Sequence, residues 1–270
     1  MKGVGRLDIQ PYLHHIGINP ERVSDRKALF RDIQRRHLLT VPFENLDIHL
    51  KHPLSMDPVK VQEKVAVHKR GGLCFELNSL LGAVYRELGY QVHYVSAAFW
   101  NEDKHDWNPP YSHLALNVNV EGKTYLADVG VGGGFMEPIE IRHGMVYEDH
   151  LATYRLEQTG DTSYILQKSA NDQWEKLFQF STQPEELAAF QPMCRYYETS
   201  KDTLFGQERL CSIATADGRI SLSEESLTIT RNKVKEKSPV TSEKEWRRLL
   251  KKYFGIDYDL LEGKVKLNHK

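Results

Sequence analysis

The sequence predicts an α+β fold: helices first, then antiparallel strands, then a strand-rich segment closed by a helix. Three observations predict it. Up to about residue 88 apolar residues recur at helical spacing, most clearly Leu77, Leu80, Leu81, Val84 and Leu88. From about residue 90 the period becomes two, in QVHYVSAAFW, LALNVNV and TYLADVG. Near the end Ser242 and Glu245 have the S-x-x-E spacing of a capping box, ahead of an apolar face of Trp246, Leu249, Leu250, Tyr253 and Phe254.

In order along the chain, Ser24 is placed to cap a helix whose apolar face carries Leu29, Phe30 and Ile33. Asp57-Pro58 reads as N-cap and first helical residue of a helix through Val61 and Val65. The stretch RGGLCFELN, Arg70 to Asn78, puts Cys74 at or beside the N-terminus of the next helix, and Gly89 stands where a helix-ending glycine belongs. LALNVNV and TYLADVG join through Glu121-Gly122, and YILQKS and QWEKLFQF through Asn171-Asp172. RLCSIAT and RISLSEESLTI flank Asp217-Gly218, a strong hairpin signal. Gly255 stops the last helix.

The 270 residues suit one large domain or two or three small ones, with 40% hydrophobic and 27% charged residues. The 36 basic and 37 acidic residues nearly cancel. The one dense basic run, Arg247 to Lys252, falls on one face of a predicted helix and reads as a solvated surface, so no nucleic-acid partner is expected. MKGVGRLDIQ has no apolar signal-peptide core and no apolar run approaches membrane length, so no membrane partner is expected either. Three cysteines, Cys74, Cys194 and Cys211, form no disulfide framework and point to free thiols in the cytoplasm. His14-His15 and the scattered histidines lack metal-ligand spacing, so no metal is expected.

A catalytic cysteine needs a thiolate, a base beside it and a group that orients the base. A helix N-terminus favours the thiolate, because unpaired backbone N–H groups and the helix dipole stabilise the anion. The same N–H groups, closely approached where Gly71 and Gly72 lack side chains, suit a developing oxyanion. The plainer reading keeps Cys74 as a small core residue. The hairpin bears on the choice. If Glu121 and Gly122 are the turn residues, Val120 pairs with Lys123, and continuing the register sets Ala115 opposite Asp128. His113 is then a diagonal neighbour of Asp128, with Cβ atoms roughly 7 Å apart. The strand ends in Asp128 and then V-G-V-G-G-G, a carboxylate beside backbone that a ligand can approach.

RGGLCFELN, YSHLALNV and YLADVGVGG, together with VPFENLDIH (Val41 to His49), resemble the arylamine N-acetyltransferases from about Tyr12 to Ile256. The resemblance implies an N-terminal helical bundle (1–89) carrying the cysteine, a central antiparallel β-barrel (90–195) carrying His and Asp, and a C-terminal α/β lid (196–270), around a cysteine-protease-like catalytic core. By motif position it implies a Cys74–His113–Asp128 triad, acetyl-CoA as co-substrate, and double displacement onto an arylamine or hydrazine with release of coenzyme A. It also suggests a Glu44–Arg70 ion pair supporting the cysteine loop. Phe43 reads as a residue of the acyl pocket or of the core, and Gly132, Gly133 and Gly134 as backbone beside the pantetheine or pyrophosphate or as a loose loop after the strand. The family usually has an aromatic residue where Val131 stands, so a wider and less selective acceptor pocket is expected. The same triad also suits an amide synthase or a hydrolase, and the fold suits a non-catalytic binding homologue.

Overall fold

The computed structural model describes residues 7–170 and 173–268. The expected Asn171-Asp172 turn and the first six residues of MKGVGRLDIQ lie outside the described residues.

The first third is helical: α1 (Gln10–His15), α2 (Arg26–Thr40), α3 (Leu46–His49), α4 (Pro58–Gln62) and α5 (Cys74–Glu87), with a two-residue strand β1 (Phe43–Glu44) between α2 and α3. Asp25, not Ser24, caps α2: its carboxylate accepts from the N–H groups of Lys27 and Ala28, and an ionised acceptor competes better for two donors than a hydroxyl one residue earlier. Asp57 caps α4 as expected, but α4 relaxes into a π-helical turn at Glu63–Val67. Leu88 is the C-cap of α5, and Gly89 takes the left-handed conformation (φ +80°) that a side chain would strain.

The middle of the chain forms β2 (Gln91–Asn101), β3 (Asp106–Trp107), β4 (His113–Val120), β5 (Lys123–Ala127), β6 (Ile139–Glu140), β7 (Val146–Glu148), β8 (Thr153–Gln158), β9 (Ser163–Ala170) and β10 (Gln173–Ser181). They make one antiparallel sheet, ordered β6-β5-β4-β2-β10-β9-β8-β7 with β3 paired to β2. The sheet curls around an interior of Val95, Ala115, Leu126, Tyr154, Leu166 and Phe178, approaching a closed barrel with β6 and β7 as its unjoined edges. The opposite side of the β2–β4 pair, including Tyr94, Leu114 and Leu116, packs on α5. Strand β4 therefore buries Leu114, Leu116, Val118 and Val120 on one face, while its other face carries Ala115 beside the polar His113, Asn117 and Asn119.

After α6 (Gln191–Thr199) and α7 (Leu204–Gln207) come β11 (Cys211–Thr215), β12 (Gly218–Leu222), β13 (Ser226–Arg231), β14 (Val234–Pro239), α8 (Glu243–Phe254) and α9 (Tyr258–Asn268). Strand β1 adds to the edge of this sheet, giving the order β1-β11-β12-β13-β14. One sheet face, with Cys211, Leu222 and Leu227, packs on Trp246, Leu249 and Leu250 of α8. Ser242 caps α8, but Glu245 reaches back to the N–H of Thr241 rather than Ser242, so the box is shifted by one residue. Gly255 ends α8 at φ +71°.

Candidate active site

Cys74 is the first residue of α5. Leu73 occupies the N-cap position and has no side-chain acceptor, so the end is closed from inside the helix: the Glu76 carboxylate accepts the Leu73 N–H at 3.1 Å. Gly71 and Gly72 do not make room for a ligand, as the sequence suggested. A Cβ on Gly71 would lie 1.7 Å from the Pro42 carbonyl oxygen, and one on Gly72 would lie 2.5 Å from Glu76 Oε2. They are small because the loop packs against β1 and against Glu76. Two N–H groups of this loop are also engaged, Gly71 N–H on Glu44 at 3.2 Å and Leu73 N–H on Glu76. Among the described residues, the Cys74 N–H meets no acceptor.

The hairpin register is the expected one: Val120 faces Lys123, with Glu121 and Gly122 both at positive φ as a tight hairpin requires. The ladder stops at Leu116–Ala127, one pair short of Ala115–Asp128, and the two side chains still meet. His113 Nε2 lies 2.6 Å from Asp128 Oδ2, with both side chains buried. Asp128 Oδ1 accepts from Asn78 Nδ2 at 2.7 Å and from the Gly130 N–H at 2.8 Å. The Asp128 N–H donates to Gln34 Oε1 at 3.0 Å. Phe99 packs edge-on to the His113 ring at 4.9 Å, and Phe178 flanks it at 5.5 Å.

With Nε2 on Asp128, Nδ1 is the nitrogen left to face the Cys74 side chain, whose negative charge favours the charged ring. Burial alone would lower the His113 pKa. The Asp128 carboxylate, and after it the negative charge and hydrogen bond of Cys74, overcome burial and push it up to about 10. Sequence reasoning gave Asn78 and Gln34 no role. The signal for Asn78 lay in RGGLCFELN: it stands four residues after Cys74, on the same helix face. Nothing local marks Gln34.

Glu44 and Arg70 meet at 2.8 Å, both buried. They belong to a larger group. Arg70 also contacts Asp47 at 2.9 Å, Asp47 contacts Lys64 at 2.7 Å, and Lys64 contacts Glu76 at 2.9 Å. Burial opposes the charge on Asp47, but Lys64 and Arg70 outweigh it and hold the carboxyl well below the usual range. At Glu76 burial wins and the pKa rises. Three carboxylates and two cations thus tie the cysteine loop to β1, α3 and the π-helical turn.

The glycine run divides into separate duties. Gly130, which sequence reasoning passed over, is pressed on the nucleophile: a Cβ there would lie 2.4 Å from Cys74 Cβ and 2.5 Å from its Cα. Gly132 packs on the Phe43 ring, Gly134 on Val131, and only Gly133 of these faces open space. Val131 is 7% exposed and belongs to the barrel interior with Phe135. Phe43 is half-buried and borders a cavity of about 220 Å³ with Gly132, Cys211, Ser212 and Ser221. Cys194 and Cys211 are buried free thiols, and burial pushes both pKa values up. Among the described residues, no group of three or more His, Cys, Asp or Glu is placed to hold a metal ion, and no helix is long and apolar enough to cross a membrane.

A family profile described as N-acetyltransferase matches residues 28–262. An arylamine N-acetyltransferase of Mycobacterium tuberculosis is 32% identical over 257 residues, 93% of this chain and 90% of that protein. The structure of the M. smegmatis arylamine N-acetyltransferase superposes with a TM-score of 0.87 at 29% identity, over 96% of this chain and 97% of that one. The Mycobacterium marinum arylamine N-acetyltransferase in complex with CoA does so with a TM-score of 0.87 at 27% identity and the same coverage.

Proposed function

The chain belongs to the arylamine N-acetyltransferase family, and on that premise we propose that it carries an acetyl group from acetyl-CoA to an arylamine or hydrazine through an acetyl-Cys74 intermediate. The observation that carries this reading is the 2.6 Å His113–Asp128 contact on a ring whose charge Cys74, the first residue of α5, also favours. CoA as the donor's leaving group is supported by the M. marinum relative, described in complex with CoA.

In this mechanism the His113 imidazolium faces the Cys74 sulfur, which reacts as the thiolate. The sulfur attacks the acetyl thioester, and the Cys74 N–H at the positive end of α5 is the donor placed for the oxyanion. As the tetrahedral species collapses, the sulfur of coenzyme A leaves and takes the proton from His113. An aromatic amine or hydrazine, largely unprotonated at neutral pH, then attacks acetyl-Cys74. His113 takes the amine's proton, the amide leaves, and the thiolate–imidazolium pair is restored. Exchange between two thioesters is nearly isoenergetic, so the protein chiefly supplies position and charge stabilisation. Asp128 fixes the ring through Nε2 and stabilises its charged form.

In this reading residues 1–89 supply the nucleophile, 90–195 the base and its carboxylate, and 196–270 a covering α/β lid, an arrangement like the catalytic core of cysteine proteases. Phe43 borders the acyl and acceptor space, Val131 backs it from the barrel interior, and Gly133, the one of the three glycines that faces open space, lies along the pantetheine or pyrophosphate. Free thiols suit the cytoplasm. Intact mass spectrometry after incubation with acetyl-CoA alone tests the central claim. Wild type should gain one acetyl group and Cys74→Ala none. A thiol that stays unmodified yet reacts with alkylating agents would refute the intermediate.

A further inference from the structure

Helix α2 turns Phe30, Ile33, His37 and Leu38 inward and leaves Arg31, Asp32, Arg35 and Arg36 exposed. Gln34 lies on the inward side and is fully buried, where a primary amide is costly unless each end is paired. Both ends are paired, and to one loop. Oε1 accepts the Asp128 N–H at 3.0 Å, and Nε2 donates to the Phe135 carbonyl at 3.2 Å. An N–H needs an acceptor and a carbonyl needs a donor, so the amide fits in this orientation alone.

Strand β5 stops at Ala127 and β6 starts at Ile139, so no ladder holds the loop 128–135. Its middle is held from the C-terminal sheet and the barrel: Ser212 and Arg219 donate to the Gly132 carbonyl, and the Tyr154 hydroxyl to that of Gly133. Among the described residues, Gln34 is the one side chain that bonds both ends. The Asp128 N–H belongs to the peptide plane that enters Asp128. Holding it fixes the direction of the Cα–Cβ bond and so of the carboxylate that meets His113 at 2.6 Å. Asn78 grips the same carboxylate at Oδ1, 2.7 Å away, and the Val129 N–H at 3.0 Å. Asn78 stands on α5 with Cys74, and Gln34 on α2, so two amides locate Asp128 against two helices. Asp128 and Phe135 are both buried, so without Gln34 neither backbone group can turn to water, and the loop must shift to pair them.

We propose that Gln34 is a positioning residue for the reaction: by clamping both ends of the loop 128–135 to α2, it aims the Asp128 carboxylate at His113. This rests on the acetyl-transfer reading above only in taking His113 as the base beside Cys74.

The test is a double-mutant cycle of Gln34→Met, apolar and similar in reach, with Asp128→Asn. It reads the rate at which p-nitrophenyl acetate acetylates Cys74, followed by intact mass. Alone, Gln34→Met should slow this step about ten- to hundredfold, the cost of a misplacement on the order of 1 Å. In the Asp128→Asn background it should slow the step by less than about threefold, because two residues acting through one contact are not additive. A Gln34 that merely supports the fold would lower the rate by the same factor in both backgrounds. The second readout is spectroscopic. The proton on the short Nε2–Oδ2 bond should resonate far downfield in wild type and move upfield or vanish in Gln34→Met. Gln34→Asn, one methylene shorter, cannot reach both ends and serves both measurements if the Met variant does not fold. An unchanged resonance in a folded Gln34 variant, or equal slowing in the two backgrounds, overturns the proposal. Neither readout uses acetyl-CoA. A wild-type Cys74 that takes no acetyl group from acetyl-CoA therefore overturns the acetyl-transfer reading alone, and an acetylated Cys74 with an unchanged resonance in the variant overturns this inference alone.

Discussion

At His113 the hydrogen bond from Nε2 to Asp128 determines which nitrogen is left for Cys74, so the carboxylate sets both the tautomer and the charge of the ring. Asp128→Asn keeps the volume and one acceptor but offers an amide donor to the ring. Turnover should fall by up to about 10⁴, as in other triads, with unaltered circular dichroism. A variant within a few-fold of wild type would remove Asp128 from the mechanism. Gly130 is as sensitive for a steric reason. In Gly130→Ala the new methyl group would meet Cys74 Cβ at 2.4 Å, so the helix start or the Asp128 loop must shift. A displacement on the order of 1 Å predicts a loss of about 10² in kcat/KM, measured with a neutral aniline. The His113–Asp128 contact was readable because hairpin register is a local property, whereas Cys74 joined the pair only through the family resemblance. Gly130 was not readable, since in V-G-V-G-G-G nothing in the sequence says which glycine another segment presses on.

The helix start that presents Cys74 is held by charge. Arg70 bonds Glu44 and Asp47, while Lys64 bonds Asp47 and Glu76, so each cation spans two carboxylates. Removing one cation strands buried negative charge. Arg70→Ala should lower the unfolding free energy by about 3–5 kcal/mol, read from urea midpoints at constant m. A cost under about 1 kcal/mol would show that water screens the group after all. Only the Glu44–Arg70 contact was foreseen, and only through resemblance. Lys64 reads locally as one more polar residue of an amphipathic helix, and Glu76 as a residue of the first turn. The same limit applies to strands. Strands β2, β4 and β5 stood out through period-two apolar residues, whereas β14, VKEKSP, is exposed throughout and carries the lysines of a protected sheet edge.

Across the whole molecule the sequence-distant parts are joined by a few specific bonds. Strand β1 pairs with β11, and Asn45 donates to the carbonyls of Phe205 and Glu208 at 2.9 and 2.8 Å while accepting from the Leu210 N–H at 2.7 Å. Such long-range stitches leave no periodic trace, and this is why the assembly of the parts was less legible than the parts. Global stability should carry a separate signature in acid. His37 is fully buried in the bundle, with Nδ1 2.8 Å from the Tyr12 hydroxyl and Nε2 without a partner. Burial, helped by His15, lowers its pKa to about 3, so the native ring stays neutral where an unfolded one, with the ordinary value of about 6.5, takes a proton. Between those two values the unfolded state binds more protons, and stability falls as pH falls, by up to about 1.4 kcal/mol per unit for this group. His113 has the opposite sign: its raised pKa contributes stability that is full below about 6.5 and lost as pH climbs through about 10, so it adds no slope in the acid window. Urea unfolding of wild type and His37→Gln at several pH values from 4.5 to 7.5 separates the two. Glutamine can still meet the Tyr12 hydroxyl but takes up no proton on unfolding. The variant should therefore show an acid slope shallower by close to one proton, and identical slopes would mean that His37 is protonated in the native bundle.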